Sequence, residues 1–484
     1  MPVFARGFSL ITDTKLAWPL QERFLAVGAA LMVVAPAWLR GGTCAGWTKY
    51  LPCLALLVGL MALGRAWAIR RRPLDHAAMV RKLLDPVVWL GLLFVLLLLL
   101  QWINSGRALY FDSGRGAWAY SPPQVDWLPS AITPAESRQM LDWFFPAWVL
   151  ALILRSPLLS SRSVRQLWRW LSYQAGLLSL VGIVQYVLGT SSMFGLVPMT
   201  SHYFASFGYP NHAGSYFLLT MGLSAGLLSW ELGAGKDDPR WGRRVAVGAV
   251  FLLGFVGANL SLSRFSIIMS WGLLFTASVL LVLFLWPRIA VVQRIHLIAV
   301  GLAAAALAMM LALGLGREGI RKEFESKPQH DYHTIVQRET SSRWFQLTSA
   351  LAMWSDHPLY GVGGWGYRYL VGFYVPPEKW NRLNEGKGNA HNDPAQFLAE
   401  FGAVGAVCMA GVTLVLALAA WRARSGYPPL VVLPLMAVGL VGFQSLLDLP
   451  FRSPAVLILW LACLAGASRV LPQGKSVVSA LVGR

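Results

Sequence analysis

Apolar runs recur along the chain near residues 24–39, 50–68, 86–103, 139–154, 171–188, 211–230, 245–260, 265–286, 297–315, 396–420, 430–447 and 454–471. A bilayer core is crossed by about 20 apolar residues in a helix, because only a helix satisfies every backbone N–H and C=O inside a single segment. The pattern therefore predicts an all-α polytopic membrane protein with about 12 transmembrane helices. Three polar intervals are long enough to hold structure of their own, 104–140, 189–210 and above all 316–395. They divide the chain into helices 1–9 over residues 1–315, a large external loop with surface helices over 316–395, and helices 10–12 over 396–484.

Composition agrees with this class. Hydrophobic residues make up 56% of the 484, charged residues 13%, and mean hydropathy is +0.54, which excludes an ordinary soluble domain. A net charge of +19 would fit nucleic acid, so the placement of the cations decides between readings. With the N-terminus inside, inner loops and tails hold 23 Lys and Arg against 7 in the short outer loops. That bias is the positive-inside rule, so the basicity is topology and no nucleic-acid partner is expected. Both termini are expected in the cytoplasm. Of four cysteines, none forms a metal-type pair, and a Cys44–Cys53 bridge is not expected. Ala35-Pro36-Ala37 resembles a cleavage site, but the long polar tail before it and the eleven spans after it favour an uncleaved anchor.

Within the long loop, apolar residues at 344, 347, 351 and 354 recur at helical spacing and predict a helix lying along the membrane surface. It ends at His357-Pro358. The following LYGVGGWGY lacks the Gly-Lys-Ser/Thr of a phosphate loop and reads as a structural turn, with Trp365 and Tyr367 as the alternative, a platform for a sugar ring. The Pro-rich stretch SPPQVDWLPSAITP reads as an irregular loop.

Chemistry concentrates where polar segments meet apolar ones. In GNAHNDPAQFLAEFGAVGAV, residues 388–407, Asp393, Pro394 and Gln396 supply an N-cap, a first-turn proline and a capping-box glutamine, so a helix starts at Asp393. His391 then stands beside the positive end of a helix, where a neutral imidazole next to an anion could take a proton from a hydroxyl; the alternative is a polar interface residue. Glu400 falls where the span enters the apolar layer and is either functional or ion-paired. Gly402 and Gly405 read as sites of close helix packing. Arg264 occupies the turn SLSR and needs an acceptor, for which phosphate suits its planar fork, with snorkelling as the alternative. Arg343 begins the surface helix and could reach the same region. Asp448 and Arg452 in SLLDLPFRSP read as a turn and salt bridge, and Asn211 in FGYPNHAG as a helix cap. His330 and His333 have ligand-like spacing, but no convincing set completes them, so no metal is expected.

In order and spacing, SLSR at 261–264, SSRWFQLTSALAMWSDHPLYGVG at 341–363, AHNDPAQFLAEFGAVG at 390–405 and SLLDLPFRSP at 445–454 resemble the O-antigen ligase and polymerase superfamily of bacterial membrane glycosyltransferases. The resemblance covers the C-terminal half. FGYPNHAG resembles the family's Asn-containing helix entry; Leu347 stands where the family usually has an aromatic, and Asp393-Pro394 where it has Ser and a bulky residue. The resemblance implies transfer of a glycan from a polyprenyl-diphosphate carrier to a hydroxyl of lipid A-core, another glycan or a protein, on the periplasmic face of the inner membrane. It implies neither a nucleotide sugar, a cofactor nor a required metal. In it His391 is the base, Arg264 and Arg343 hold the diphosphate, and Asn392, Glu400, Asp448 and Asn211 support them. The competing class is a transporter or lipid-linked glycan flippase, disfavoured because the charged candidates cluster at outer turns, with Arg65 the cation lying clearly within a span.

Overall fold

The computed structural model describes residues 19–70, 84–199, 202–233, 241–286, 291–325, 332–375, 388–424 and 428–471. The protein is an all-α membrane protein. Its long helices are α1 (Leu20–Trp38), α2 (Leu51–Arg70), α3 (Pro86–Ile103), α4 (Pro134–Arg155), α5 (Ser161–Val187), α6 (Pro210–Gly233), α7 (Trp241–Leu260), α8 (Arg264–Leu285), α9 (Val291–Glu325), α10 (Tyr332–Asp356), α11 (Asp393–Ala423), α12 (Pro428–Gln444) and α13 (Pro454–Ala467). Seven of them, α1 to α3, α7 to α9 and α11, are long and apolar enough to cross a membrane, and α12 and α13 are shorter apolar helices. The starts follow local chemistry. Asp85 and Ser160 accept from the backbone N–H groups of Val87 and Ser163, and prolines open α3, α4 and α13 where no N–H is needed.

Helix α6 lies at the centre, packed by α7, α8 and α12. A Cβ at Gly222 would stand 2.4 Å from that of Ala437, and one at Gly226 2.9 Å from Pro434, so glycine lets α6 and α12 approach as closely as small-residue membrane contacts do. Helix α13, 14 residues long, is buried along its whole length, enclosed by protein. By contrast the apolar window of α9 is only 11% buried, and that helix lies against α7 with its other side outward.

Ion pairs join the helices at two ends. At the lower end Glu22 meets Arg65 at 2.9 Å, Asp85 meets Arg155 at 2.7 Å and Arg169 meets Glu231 at 2.7 Å, tying starts of α1, α3 and α5 to ends of α2, α4 and α6. At the upper end Ser453 donates to the Gly41 carbonyl at 2.7 Å and Arg264 meets Glu323 at 2.9 Å. Successive helices therefore alternate in direction. Arg65, inside a predicted span, is paired near a helix end.

Two antiparallel hairpins stand in the polar intervals 104–140 and 189–210, which are long enough to hold structure of their own. In the first, β1 (Leu109–Asp112) pairs with β2 (Ala117–Tyr120). Asp112 accepts from the N–H groups of Gly114 and Arg115 to close its turn. The second pairs Ser192–Met193 with Val197–Pro198.

Helix α11 is broken at Gly402 (φ 62°, ψ −167°), and the loop after α10 fills the break. The N–H groups of Ala403 and Val404 donate to the carbonyls of Pro358 and Leu359, while those of Val362 and Gly363 donate to Ala399 and Glu400. Backbone here touches backbone: an added Cβ would lie 2.3 Å from Leu359 O at Gly402 and 2.4 Å from the Glu400 carbonyl carbon at Gly361. The LYGVGGWGY glycines are thus a structural turn, as one of the two readings held. Trp365 is buried under the guanidinium groups of Arg368 and Arg452, at 4.0 and 4.6 Å from its ring, and Tyr367 donates to the Gln346 carbonyl, so neither ring offers a sugar platform.

Candidate active site

The site is built where three segments meet at the upper end: residues 209–212 at the start of α6, residues 388–396 at the start of α11, and the turn 445–453 between α12 and α13. Asp448, in that turn, is 5% exposed. Its carboxylate accepts from four donors: the Tyr209 hydroxyl at 3.1 Å, the Asn211 amide, the Leu449 N–H at 2.9 Å and His391 Nδ1 at 3.3 Å. Burial pushes this carboxyl upward, but the hydrogen bond and charge of His391, the Tyr209 hydroxyl and the charge of His212 outweigh it and hold Asp448 below the usual carboxylate range. Asp448 is therefore a fixed anion. Burial, and Asp448 after it, push the Tyr209 phenol up, so that group stays a neutral donor.

His391 sits in the left-handed region (φ 48°), its ring partly exposed at 23%. Nδ1 faces Asp448, which leaves Nε2 as the nitrogen directed away from the carboxylate. Next to it Asn392 accepts from the Ala395 N–H and donates to the Leu446 carbonyl at 2.9 Å, pinning the start of α11 to the Asp448 turn. The N-cap is thus Asn392 and not Asp393. Asp393 is the first helical residue, and its carboxylate accepts from the Phe451 N–H. Gln396 accepts from Ala390 N–H and donates to Glu400, so it braces the loop that presents His391 instead of closing a capping box.

Arg343 joins the same turn. Its exposed guanidinium donates to the Leu447 carbonyl at 3.3 Å, and its charge is felt by Tyr209. It lies in the middle of α10, because that helix begins at Tyr332, eleven residues earlier than Arg343. The helix buries Gln346, Ser349, Ala350 and Met353, whereas Trp344 and Leu351 of the predicted apolar stripe face outward. An outward apolar edge suits a helix at a membrane surface.

Arg264 begins α8 at this end and pairs with Glu323 of α9, so a protein carboxylate meets the need for an acceptor that the sequence assigned to phosphate. The pair is 40% and 37% exposed, and such pairs are worth about 0–1 kcal/mol, so it opens at little cost. Its neighbour Phe265 packs against Phe443 at 6.1 Å, two residues before Ser445. Arg264 therefore stands on the flank of the site.

Arg452 does not pair with Asp448. It meets Glu400 at 2.9 Å and Asp393 at 3.7 Å, beneath Trp365. Glu400, fully buried, is thereby ion-paired. This buried pair locks the break in α11 to the Asp448 turn. Asn211 does not cap a helix either: α6 starts at Pro210 and the Asn211 amide donates to Asp448 and Tyr209.

Tyr209 and His212 were missed, although both lie in the FGYPNHAG stretch. His212 Nε2 is 3.0 Å from the Leu449 carbonyl and its ring packs edge-on against Tyr209 at 4.9 Å, completing the floor under Asp448. An aromatic hydroxyl and a histidine flanking an Asn-led helix entry were the available signal. Among the described residues no group of three or more His, Cys, Asp or Glu is arranged to hold a metal ion, and His330 lies outside them. The four cysteines are free.

Residues 249–410 match the family model described as O-antigen ligase. That segment is an O-antigen ligase domain. No curated protein matches the chain. The ligase domain contains Arg264, Arg343, His391, Asn392 and Glu400, while Asn211 and Asp448 lie on either side of it and join its histidine through space. This match, over about a third of the chain, together with the apolar helices, supports a multi-pass membrane protein similar to the O-antigen ligase type of glycosyltransferase.

Proposed function

We propose that the protein transfers a glycan from a polyprenyl-diphosphate carrier to an acceptor hydroxyl, with His391 as general base. The observation that carries this reading is the Tyr209–Asn211–Asp448–His391 array, in which a buried anion fixes one imidazole nitrogen and leaves the other for chemistry. His391 Nε2 takes the acceptor's proton as its oxygen bonds to the anomeric carbon. The bond from that carbon to the diphosphate oxygen breaks, and the leaving group departs with the electron pair. Arg343 matches its charge, and Arg264 does so once the diphosphate displaces Glu323. A guanidinium suits this role because its planar fork binds phosphate oxygens in pairs. Fixed cations aimed at developing charge contribute most of the acceleration, and the base adds about 10²–10⁴-fold.

In this reading the chain crosses the inner membrane twelve times, α10 lying at the surface, with both termini cytoplasmic and the site periplasmic. The alternation of helix directions and the surplus of cations on inner loops support that orientation. The transporter alternative loses ground because the buried ion pairs described above gather toward the two ends and not at mid-bundle.

The test is purified protein with a polyprenyl-diphosphate glycan and, separately, lipid A-core, a second glycan and a protein hydroxyl. Transfer of one intact donor glycan to lipid A-core marks a ligase, a ladder of products a polymerase, and a glycoprotein a protein transferase. No product with any acceptor removes the enzyme reading.

A further inference from the structure

Arg264, the flanking cation of the site, is already held by a carboxylate of its own chain. We infer that Glu323 is an intramolecular competitor for that cation: it yields Arg264 to the diphosphate and reclaims it after transfer, so that the spent carrier leaves. The inference rests on the reading above for the ligand of Arg264.

The fold brings Glu323 to this place by close packing. Helix α9 is 35 residues long, about 52 Å against an apolar layer of about 30 Å, and its charged last turns begin at Arg317. An added Cβ at Gly316 would stand 3.1 Å from the Leu260 side chain, and one at Gly319 2.9 Å from the Tyr186 hydroxyl and 3.1 Å from the Leu262 side chain. Glycine thus seats the tip of α9 on the turn that leads into Arg264. Positions 316, 319 and 323 share one helix face, so the face pressed on that turn also presents Glu323. Two other acids of the tip are paired within α9, Glu318 with Lys322 at 2.7 Å and Glu325 with Arg321 at 3.4 Å. Glu323 instead crosses to α8.

The Arg264 side of the contact is rigid at its base and free at its head. Ser261, Ser263 and Ser266 are buried; Ser261 donates to the Ala258 carbonyl at 2.7 Å, and Ser263 accepts from the Ser266 N–H. The Arg264 Nε stands 2.9 Å from the Glu323 carboxylate yet makes no hydrogen bond to it. Charge alone holds this contact, without the paired parallel bonds that lock an arginine onto an anion.

The chemistry of the step gives such a contact a use. A diphosphate bonded at both ends carries two negative charges. When the bond to the anomeric carbon breaks, its terminal phosphate gains close to one more. Fixed cations therefore hold the product more tightly than the donor, and product release limits many enzymes. A carboxylate anchored beside the cation opposes that retention at a high effective concentration. An exposed pair of this kind weakens binding by up to about fivefold, enough to hasten release and too little to exclude the donor.

The test uses full-length protein in nanodiscs, with polyprenyl diphosphate as the product probe and a polyprenyl-diphosphate glycan as donor. Glu323→Gln is expected to tighten polyprenyl diphosphate binding about two- to fivefold and to lower its inhibition constant by the same factor. The single-turnover rate holds while the steady-state rate drops. Glu325→Gln removes an equal charge two residues away, from Arg321, and leaves these values at wild type. In an Arg264→Gln background, Glu323→Gln changes nothing further, because the contact is already gone. Product binding that is unchanged or weaker in Glu323→Gln, a steady-state rate that holds, or equal tightening in Glu325→Gln overturns the inference. Arg264→Gln separates the two claims. If it leaves donor and product binding unchanged, the phosphate role of Arg264 falls; if it weakens both while Glu323→Gln has no effect, the competitor alone falls.

Discussion

Replacing Asp448 with Asn keeps the shape of the side chain and removes the anion that orients His391. Four donors converge on the carboxylate, and an amide offers one oxygen, so at least one of Asn211, Leu449 or His391 loses its acceptor. An orphaned buried donor costs about 1–3 kcal/mol of stability, a visible but tolerable loss. The kinetic effect is larger. If orientation of the base contributes its full 10²–10⁴-fold, kcat falls by that factor, about 2.7–5.4 kcal/mol at 1.36 kcal/mol per tenfold. The assay is reconstituted glycan transfer below the variant's melting temperature, with kcat and the donor KM measured separately. A merely structural role would lower the amount of active enzyme and leave the remainder normal. Positioning instead predicts that kcat falls at constant KM and that His391→Ala/Asp448→Asn is no slower than His391→Ala alone, because both remove one device. Independent, multiplying losses in the double variant would refute the dyad.

Further consequences follow from the surrounding contacts. Arg343→Lys keeps the charge but not the fork, so it raises the donor KM with little change in melting temperature; an unchanged KM excludes bidentate phosphate binding there. Glu400→Gln removes the nearer of the two carboxylates that pair with the buried Arg452, leaving Asp393, and costs up to about 3 kcal/mol, read by thermal unfolding in detergent. Gly402→Ala forces a Cβ into the Leu359 carbonyl at a positive φ and yields misfolded or poorly inserted protein, read by size-exclusion profile; a normal profile would mean that the break in α11 is not required. Asp448 has a lowered pKa in the folded state, so its stabilisation is complete above the ordinary aspartate range near about 3.9 and disappears as pH falls through its lower folded value. Melting temperatures of wild type and Asp448→Asn accordingly converge on acidification.

The helices were legible because a bilayer leaves few alternatives: apolar length fixes helix, and polar intervals fix turns. Single residues at those turns were legible too, since a charge beside an apolar span must be explained. Partner choice was not. Asp448 and Arg452 are four residues apart and invited a local pair, but Asp448 is claimed by Asn211, 237 positions away, and by His391, 57 away, while Arg452 goes to the buried Glu400. Long flexible side chains are assigned by tertiary packing, which local spacing does not encode. The break at Gly402 was hidden for a related reason: its glycine pattern also fits unbroken packed helices, and only the returning loop at 358–363 distinguishes them.

The central claim is that one imidazole at the upper end performs the proton transfer. Single-turnover transfer by His391→Ala, with donor binding measured in the same preparation, tests it most directly. Retained donor binding with no detectable transfer is the predicted result; transfer at the wild-type rate would contradict it.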